Sequence, residues 1–275
     1  MTLALLGFSG MALSAREVSQ SIHTFQLLFF RSLIGLLIIS FILNIKGWHR
    51  LSLNDLPVHF SRNISHFIGQ YAWFFGIAFL PLSEVFALEF TVPFWTAIFA
   101  AFLLGEKLNR YKIIAIIFGM TGVLLILKPG VEILQPAAIG VLIGATSYGV
   151  SHTLTRKLAL KNNVLTILFY MSLIQMMIAL IPMFFVWQYF TSYTLLHIII
   201  ISVTGLIAHY SMAKALTHAD TTIVVPIDFL RLPLITLLAY FLYQEEVDIF
   251  FIIGACIMLS GNMINVIYNR KQTKT

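Results

Sequence analysis

The chain has 275 residues, is 59% hydrophobic and only 10% charged, and has a mean hydropathy of +0.93. A water-exposed surface needs about a quarter of its residues charged, so a soluble domain is excluded and the chain is an integral membrane protein. Its net charge is +6, a value that suits nucleic acid only if the charge is clustered, and here it is not.

The apolar runs have the length of membrane helices, about 17–23 residues, rather than the ~10-residue alternation of barrel strands. Ten spans are predicted, over residues 2–15, 25–43, 63–80, 84–104, 111–127, 137–155, 164–186, 195–213, 223–243 and 249–268. The first is short and also resembles the apolar region of a signal peptide. It has no basic segment before it, however, and it is read as a span. The lone Cys256 lies within an apolar run, so no intramolecular disulfide is possible.

Basic residues sort to one side. With the N-terminus inside, the cytoplasmic loops receive Lys46, Arg50, Arg62, Lys107, Arg110, Lys112, Arg156, Lys157, Lys161, Arg270, Lys271 and Lys274, and the other side only Arg16 and Lys128. That asymmetry is the positive-inside pattern, with both termini cytoplasmic. It accounts for the basic excess without nucleic acid. Arg31, Lys214 and Arg231 remain inside or at the edge of spans.

The chain also repeats. Shifting it by 139 residues sets Tyr71 on Tyr210, Glu89 on Asp228, Phe90 on Phe229, Glu106 on Glu245 and Gly122 on Gly261. Two halves, 1–130 and 131–275, then hold five spans each. An odd number makes the halves cross in opposite directions, the inverted repeat found in secondary transporters. Loops are short, and nothing in the sequence calls for more than a monomer or a homodimer.

Candidate site residues sit inside spans. Helical spacing puts His66, Gln70 and Trp73 on one face of span three, and Glu89, Pro93 and Thr96 together in span four. Tyr148 and His152 share a face of span six, Tyr210 and Lys214 one of span eight, and Asp228 and Arg231 are one turn apart in span nine. An acid inside a membrane helix is a functional hypothesis by default. Each residue also has a structural reading. Asp228 and Arg231 can form a neutralising local pair, and Glu89 can be a structural acceptor. Lys214 can snorkel to the interface, His66 and His152 can be packed bundle residues, and Trp73 and Trp95 can be packing anchors. Arg31 is read as structural or interfacial, and Glu106 and Glu245 as capping residues at helix exits. The sequence carries no phosphate loop, metal-ligand spacing or nucleophile elbow, so no cofactor or metal is expected.

The early arginine in FFRSLIG, the mid-span proline, the exit LLGEKL, LILKPG and the terminal GACIMLSGN resemble the EamA-type transporters of the drug/metabolite transporter superfamily. FFRS, LKPG and LFYMS further resemble the subgroup of S-adenosylmethionine uptake carriers. YQEE departs from the family's glycine–glutamate exit. The resemblance implies a multi-pass protein of the bacterial inner membrane that carries a small organic metabolite by alternating access. Both signs of charge in the cavity suit an amino-acid-like zwitterion. Glu89 is the candidate proton-coupling group, since a low-dielectric setting favours the neutral carboxyl. A drug or metabolite exporter, a channel and a membrane-embedded lipid enzyme are the alternatives.

Overall fold

A computed structural model describes residues 1–106, 108–127, 135–228 and 231–272. Lys107, Lys128, Lys274, the Pro129–Gly130 motif, Phe229 and the boundary between residues 130 and 131 lie outside the described residues. Twelve α-helices are described: α1 (Thr2–Val18), α2 (Thr24–Lys46), α3 (Leu56–Phe79), α4 (Leu82–Glu89), α5 (Val92–Leu104), α6 (Arg110–Leu127), α7 (Pro136–Ala159), α8 (Val164–Phe185), α9 (Ser192–Ala215), α10 (Thr221–Asp228), α11 (Arg231–Tyr243) and α12 (Ile249–Gln272).

A helix or a pair of half-helices lies over each of the ten predicted spans. Six stretches are long and apolar enough to cross a membrane: Thr24–Lys46, Leu82–Leu104, Pro136–Ala159, Val164–Phe185, Ser192–Ala215 and Ile249–Tyr268. Large apolar side chains face outward along them, among them Phe41, Phe102 and Phe185. In water that surface would be a liability; against acyl chains it is the matching solvent.

The structure corrects three predicted elements. Span four is two helices, not one kinked helix. Pro93 has no N–H to give the carbonyl four residues earlier, and α4 ends at Glu89, one turn before it. Thr91 covers the break, its N–H (3.1 Å) and Oγ (2.9 Å) both donating to the Leu88 carbonyl. Span nine is divided likewise, with α10 ending at Asp228 and α11 starting at Arg231. Span three begins well before residue 63, with Pro57 in the first turn of α3, a favoured place for proline. Arg62, expected in a cytoplasmic loop, is therefore inside α3 and 3% exposed.

The 139-residue offset holds for the starts of the last three helices of each half, while the starts of α1, α2 and α3 against α7, α8 and α9 depart from it by one to five residues. Helices α4, α5 and α6 begin at 82, 92 and 110; α10, α11 and α12 begin at 221, 231 and 249. Packing respects the same relation. Helix α1 packs along α9 and α3 along α7, α2 along α8, α6 along α12, α4 on α11 and α5 on α10. Exchange of the halves maps α2–α8 and α6–α12 onto themselves, α1–α9 onto α3–α7, and α4–α11 onto α5–α10. Small residues set the closest approaches. A Cβ on Gly122 would lie 2.6 Å from the Gly254 carbonyl oxygen, and one on Gly254 would lie 2.7 Å from that of Gly122.

The two exit glutamates cap the opposite half. Glu245 accepts from the backbone N–H of Leu82 (2.7 Å) and Ser83 (3.1 Å) and from the Ser83 hydroxyl (3.0 Å), at the start of α4. Glu106 accepts from the hydroxyls of Thr221 (3.5 Å) and Thr222 (3.2 Å), at the start of α10. Arg16 backs Glu245 at 3.9 Å, and Lys112 backs Glu106 at 3.7 Å. A carboxylate at a helix N-terminus satisfies otherwise unpaired donors and complements the dipole. Glu245→Ala is expected to destabilise the purified protein by about 1–2 kcal/mol, read as a lowered midpoint in detergent unfolding, with Glu245→Gln losing less. Burial, with Asp220 adding, raises the Glu106 carboxyl, against the pull of Lys112 and Thr222. A raised folded-state pKa means stability at this group falls as pH climbs above the unfolded value of about 4.3. Unfolding midpoints measured between pH 4 and 7 should show that slope reduced in Glu106→Gln.

Candidate functional site

Both broken helices interrupt at the same place, and their loose ends surround a cavity of about 20 Å³ lined by Phe8, Met11, Trp73, Glu89, Tyr148, His152, His209, Asp228 and Arg231. Glu89 is the last residue of α4, Asp228 the last of α10 and Arg231 the first of α11. Nη2 of Arg231 donates to Glu89 Oε1 at 2.7 Å, and Nη1 meets Asp228 Oδ2 at 3.4 Å. The indole N–H of Trp73 donates to the other Glu89 oxygen at 2.9 Å. The guanidinium carbon lies 4.8 Å from the Phe8 ring centroid and 5.0 Å from that of Phe86, so aromatic faces add to its hold.

The predicted local pair of Asp228 with Arg231 is present, but the shorter bond crosses to Glu89 in the other half. Two carboxylates share one guanidinium, and Asp228 Oδ1 has no hydrogen-bond partner among the described residues. A cluster with this excess of acceptor can hold a cationic group.

Around it runs a band of polar rings. Tyr148 lies 5.5 Å from His66 and 6.0 Å from His152; His66 lies 4.8 Å from His209, which lies 5.1 Å from Phe8. Gly69 makes room for Tyr148, since a Cβ there would sit 2.8 Å from the ring. Nδ1 of His66 pairs with Gln175 Nε2 at 2.8 Å. Gln70 is buried between His66 and Trp73 on the same face of α3, and neither of its amide atoms has a partner among the described residues.

Of the predicted residues, Glu89, Asp228, Arg231, Trp73, Tyr148 and His152 line one cavity and His66 stands behind it. Lys214 and Tyr210 do not join them. They line a separate cavity of about 350 Å³ with Lys46, Arg50 and Asn162, at the ends of α2, α8 and α9. The face of α9 turned inward carries Gly205, His209 and Met212; Tyr210, one step round the helix, is 42% exposed. Phe8, Met11 and His209 were missed. His209 had a signal, because it stands 139 residues after Gln70. Phe8 and Met11 had none, as only the packing of α1 on α9 brings them in.

Removing one partner of a buried ion pair strands the rest. Arg231→Gln is expected to cost about 3–5 kcal/mol, and the triple change Glu89→Gln, Asp228→Asn, Arg231→Gln to restore most of it. Comparing unfolding midpoints of the wild type, single and triple variants checks this coupling.

A family model described as the EamA-like transporter family matches residues 1–128 and 135–267. The S-adenosylmethionine uptake transporter of Rickettsia bellii is 24% identical over 98% of this chain and 92% of its own. The pseudopaline exporter CntI of Pseudomonas aeruginosa is 27% identical over 94% and 93%. A riboflavin transporter of Rhizobium johnstonii is 27% identical over 82% and 76%. A solved crystal structure superposes over 98% of both chains with a TM-score of 0.75 at 16% identity, so the fold is shared.

Proposed function

The chain belongs to the EamA-like transporter family, and from that premise we propose that it is a secondary carrier of a small zwitterionic, amino-acid-like metabolite. It works by alternating access in the inner membrane, with ten spans in two inverted halves and both termini cytoplasmic. The observation that carries the reading is the Glu89–Arg231–Asp228 cluster at the junction of the two broken helices. Both signs of charge meet there, beside the aromatic faces of Phe8, Trp73 and Tyr148. Broken helices that meet between two repeats are where secondary carriers hold their solutes.

A cavity of about 20 Å³ has room for one water-sized molecule. A metabolite enters only when the halves part, which suits a carrier and argues against an open channel. S-adenosylmethionine is the first solute to test. It bears an α-amino acid group and a sulfonium, a cation that aromatic faces and carboxylates both attract, and several relatives are named for its uptake. Protons are the proposed coupling ion, with Glu89 changing protonation as Arg231 and substrate exchange as its partners.

In proteoliposomes, labelled S-adenosylmethionine should show saturable flux and counterflow, and Glu89→Gln should reduce both at least tenfold and remove their pH dependence. Counterflow that survives Glu89→Gln with its pH profile intact would sink the coupling role. Flux without saturation would point to a channel.

A further inference from the structure

We propose that Arg31 is the anion end of this site, taking the carboxylate of the substrate while the Glu89–Asp228 end takes its cationic group. The inference rests on the zwitterion reading and adds an orientation and a residue to it.

Arg31 lies in the third turn of α2 and is 5% exposed. Among the described residues it makes no hydrogen bond and no ion pair, and its Nε is buried without a partner. The Phe74 ring lies 6.0 Å from the guanidinium carbon, at the outer limit of a cation–π contact. Arginines buried for structural reasons are paired. Arg231 shows in this same chain what pairing looks like.

The space beside Arg31 is polar and holds no carboxylate. A cavity of about 10 Å³ there is lined by Arg31, Ser32, Ser172, Gln175 and Ser202, together with apolar Met171 and Leu206. The Ser202 hydroxyl is spent on the Ile198 carbonyl (2.6 Å) and Gln175 Nε2 faces His66 Nδ1, which leaves the Ser32 and Ser172 hydroxyls beside the guanidinium as donors toward an anion. Farther along, Arg62 is also buried, held only by the neutral oxygens of Thr155 (3.0 Å) and Asn63 (2.6 Å).

This space adjoins the central cavity through one layer of side chains. Gln175 lines it and bonds His66, and His66 packs on His209 and Tyr148, which line the central cavity. At Gly205 the gap closes from the other side: a Cβ there would lie 3.0 Å from Met11 Sδ and 3.1 Å from Arg31 Nη2. Met11 lines the central cavity too. Glycine at 205 therefore lets Arg31 lie against the site.

The charges form an axis. At one end two carboxylates face one guanidinium; at the other, two guanidinium groups make no ion pair with a carboxylate among the described residues. Buried charges are retained where they find partners, and a molecule with a cation at one end and a carboxylate at the other supplies both. The His66–His209 layer lies between, where the rings can give way or hydrogen-bond.

The test uses the full chain purified in detergent and matched pairs of probes that differ only in the carboxylate: S-adenosylmethionine and its decarboxylated form, and α-amino acids with their primary amines. In the wild type, the acid of at least one pair should bind tenfold or more tightly than its amine. Arg31→Gln should erase that preference by weakening the acid alone, and Arg31→Lys should keep part of it. Without ligand, Arg31→Gln should melt no lower than the wild type, because no protein partner is lost. A variant that misfolds or melts lower would make Arg31 structural and overturn the proposal. Equal weakening of acid and amine, or an acid preference that survives in Arg31→Gln, would overturn it while leaving the zwitterion carrier standing. A wild type that prefers amines, or binds no probe and shows no flux, would remove both.

Discussion

A guanidinium buried between two carboxylates is the interaction on which this architecture depends. Glu89 and Asp228 each end a helix, and Arg231 begins one. Carboxylates at helix C-termini and a cation at an N-terminus all oppose the local dipole. Helix electrostatics therefore cannot explain these three charges; only their mutual pairing does. Because the short bond joins α11 to α4, the pair also stitches the second half to the first at the point where both backbones are broken. The same contact that neutralises the charges places the interruption, and with it the cavity.

The reciprocal caps fix the ends of that crosspiece. Each broken pair starts on a cap supplied by the exit of the other, Glu245 for α4 and Glu106 for α10. The chain crosses between the halves twice at equivalent points, so neither broken helix can be displaced alone. Seen with the α4–α11 and α5–α10 packing, the four half-helices behave as one unit, braced at both outer ends and pinned by Arg231 at the middle.

Much of this was written in the sequence as correspondence rather than contact. The repeat offset set Glu89 against Asp228 and Glu106 against Glu245, and the structure keeps that register to the residue in the starts of α4, α5 and α6 against α10, α11 and α12. The capping role of the glutamates was readable from their position at helix exits. Their targets were not, because Leu82 and Glu245 are separated by more than half the chain. Helical spacing grouped Tyr210 with Lys214 correctly but could not say which way the group faced; only packing against α1 turns His209 inward and Tyr210 out. Arg62, expected in a loop, was misplaced for the same reason, and the interfacial alternative for Arg31 goes with it. A charge near the end of an apolar run looks interfacial until the neighbouring helices are in place, and both are buried by α7, α8 and α9 rather than by anything local.

Those neighbours also bear on how the halves can move. Each long seam joins one helix from each half, so rocking of the halves must take place along α1–α9, α3–α7 and α2–α8 or across α6–α12. In the last, Gly122 and Gly254 bring backbone against backbone, with the Met258 and Ile126 side chains packed into the same recesses. The seams nearest the site mix both kinds of contact: Gly69 faces the Tyr148 ring and Gly205 the flexible ends of Met11 and Arg31, while a Cβ on Gly7 would lie 2.7 Å from the Thr204 carbonyl oxygen. A side chain resting in a glycine recess can leave it without breaking a backbone contact. The contacts that could loosen at least cost are therefore those of Tyr148 on Gly69 and of Met11 and Arg31 on Gly205, and these three side chains lie where an incoming solute would meet them.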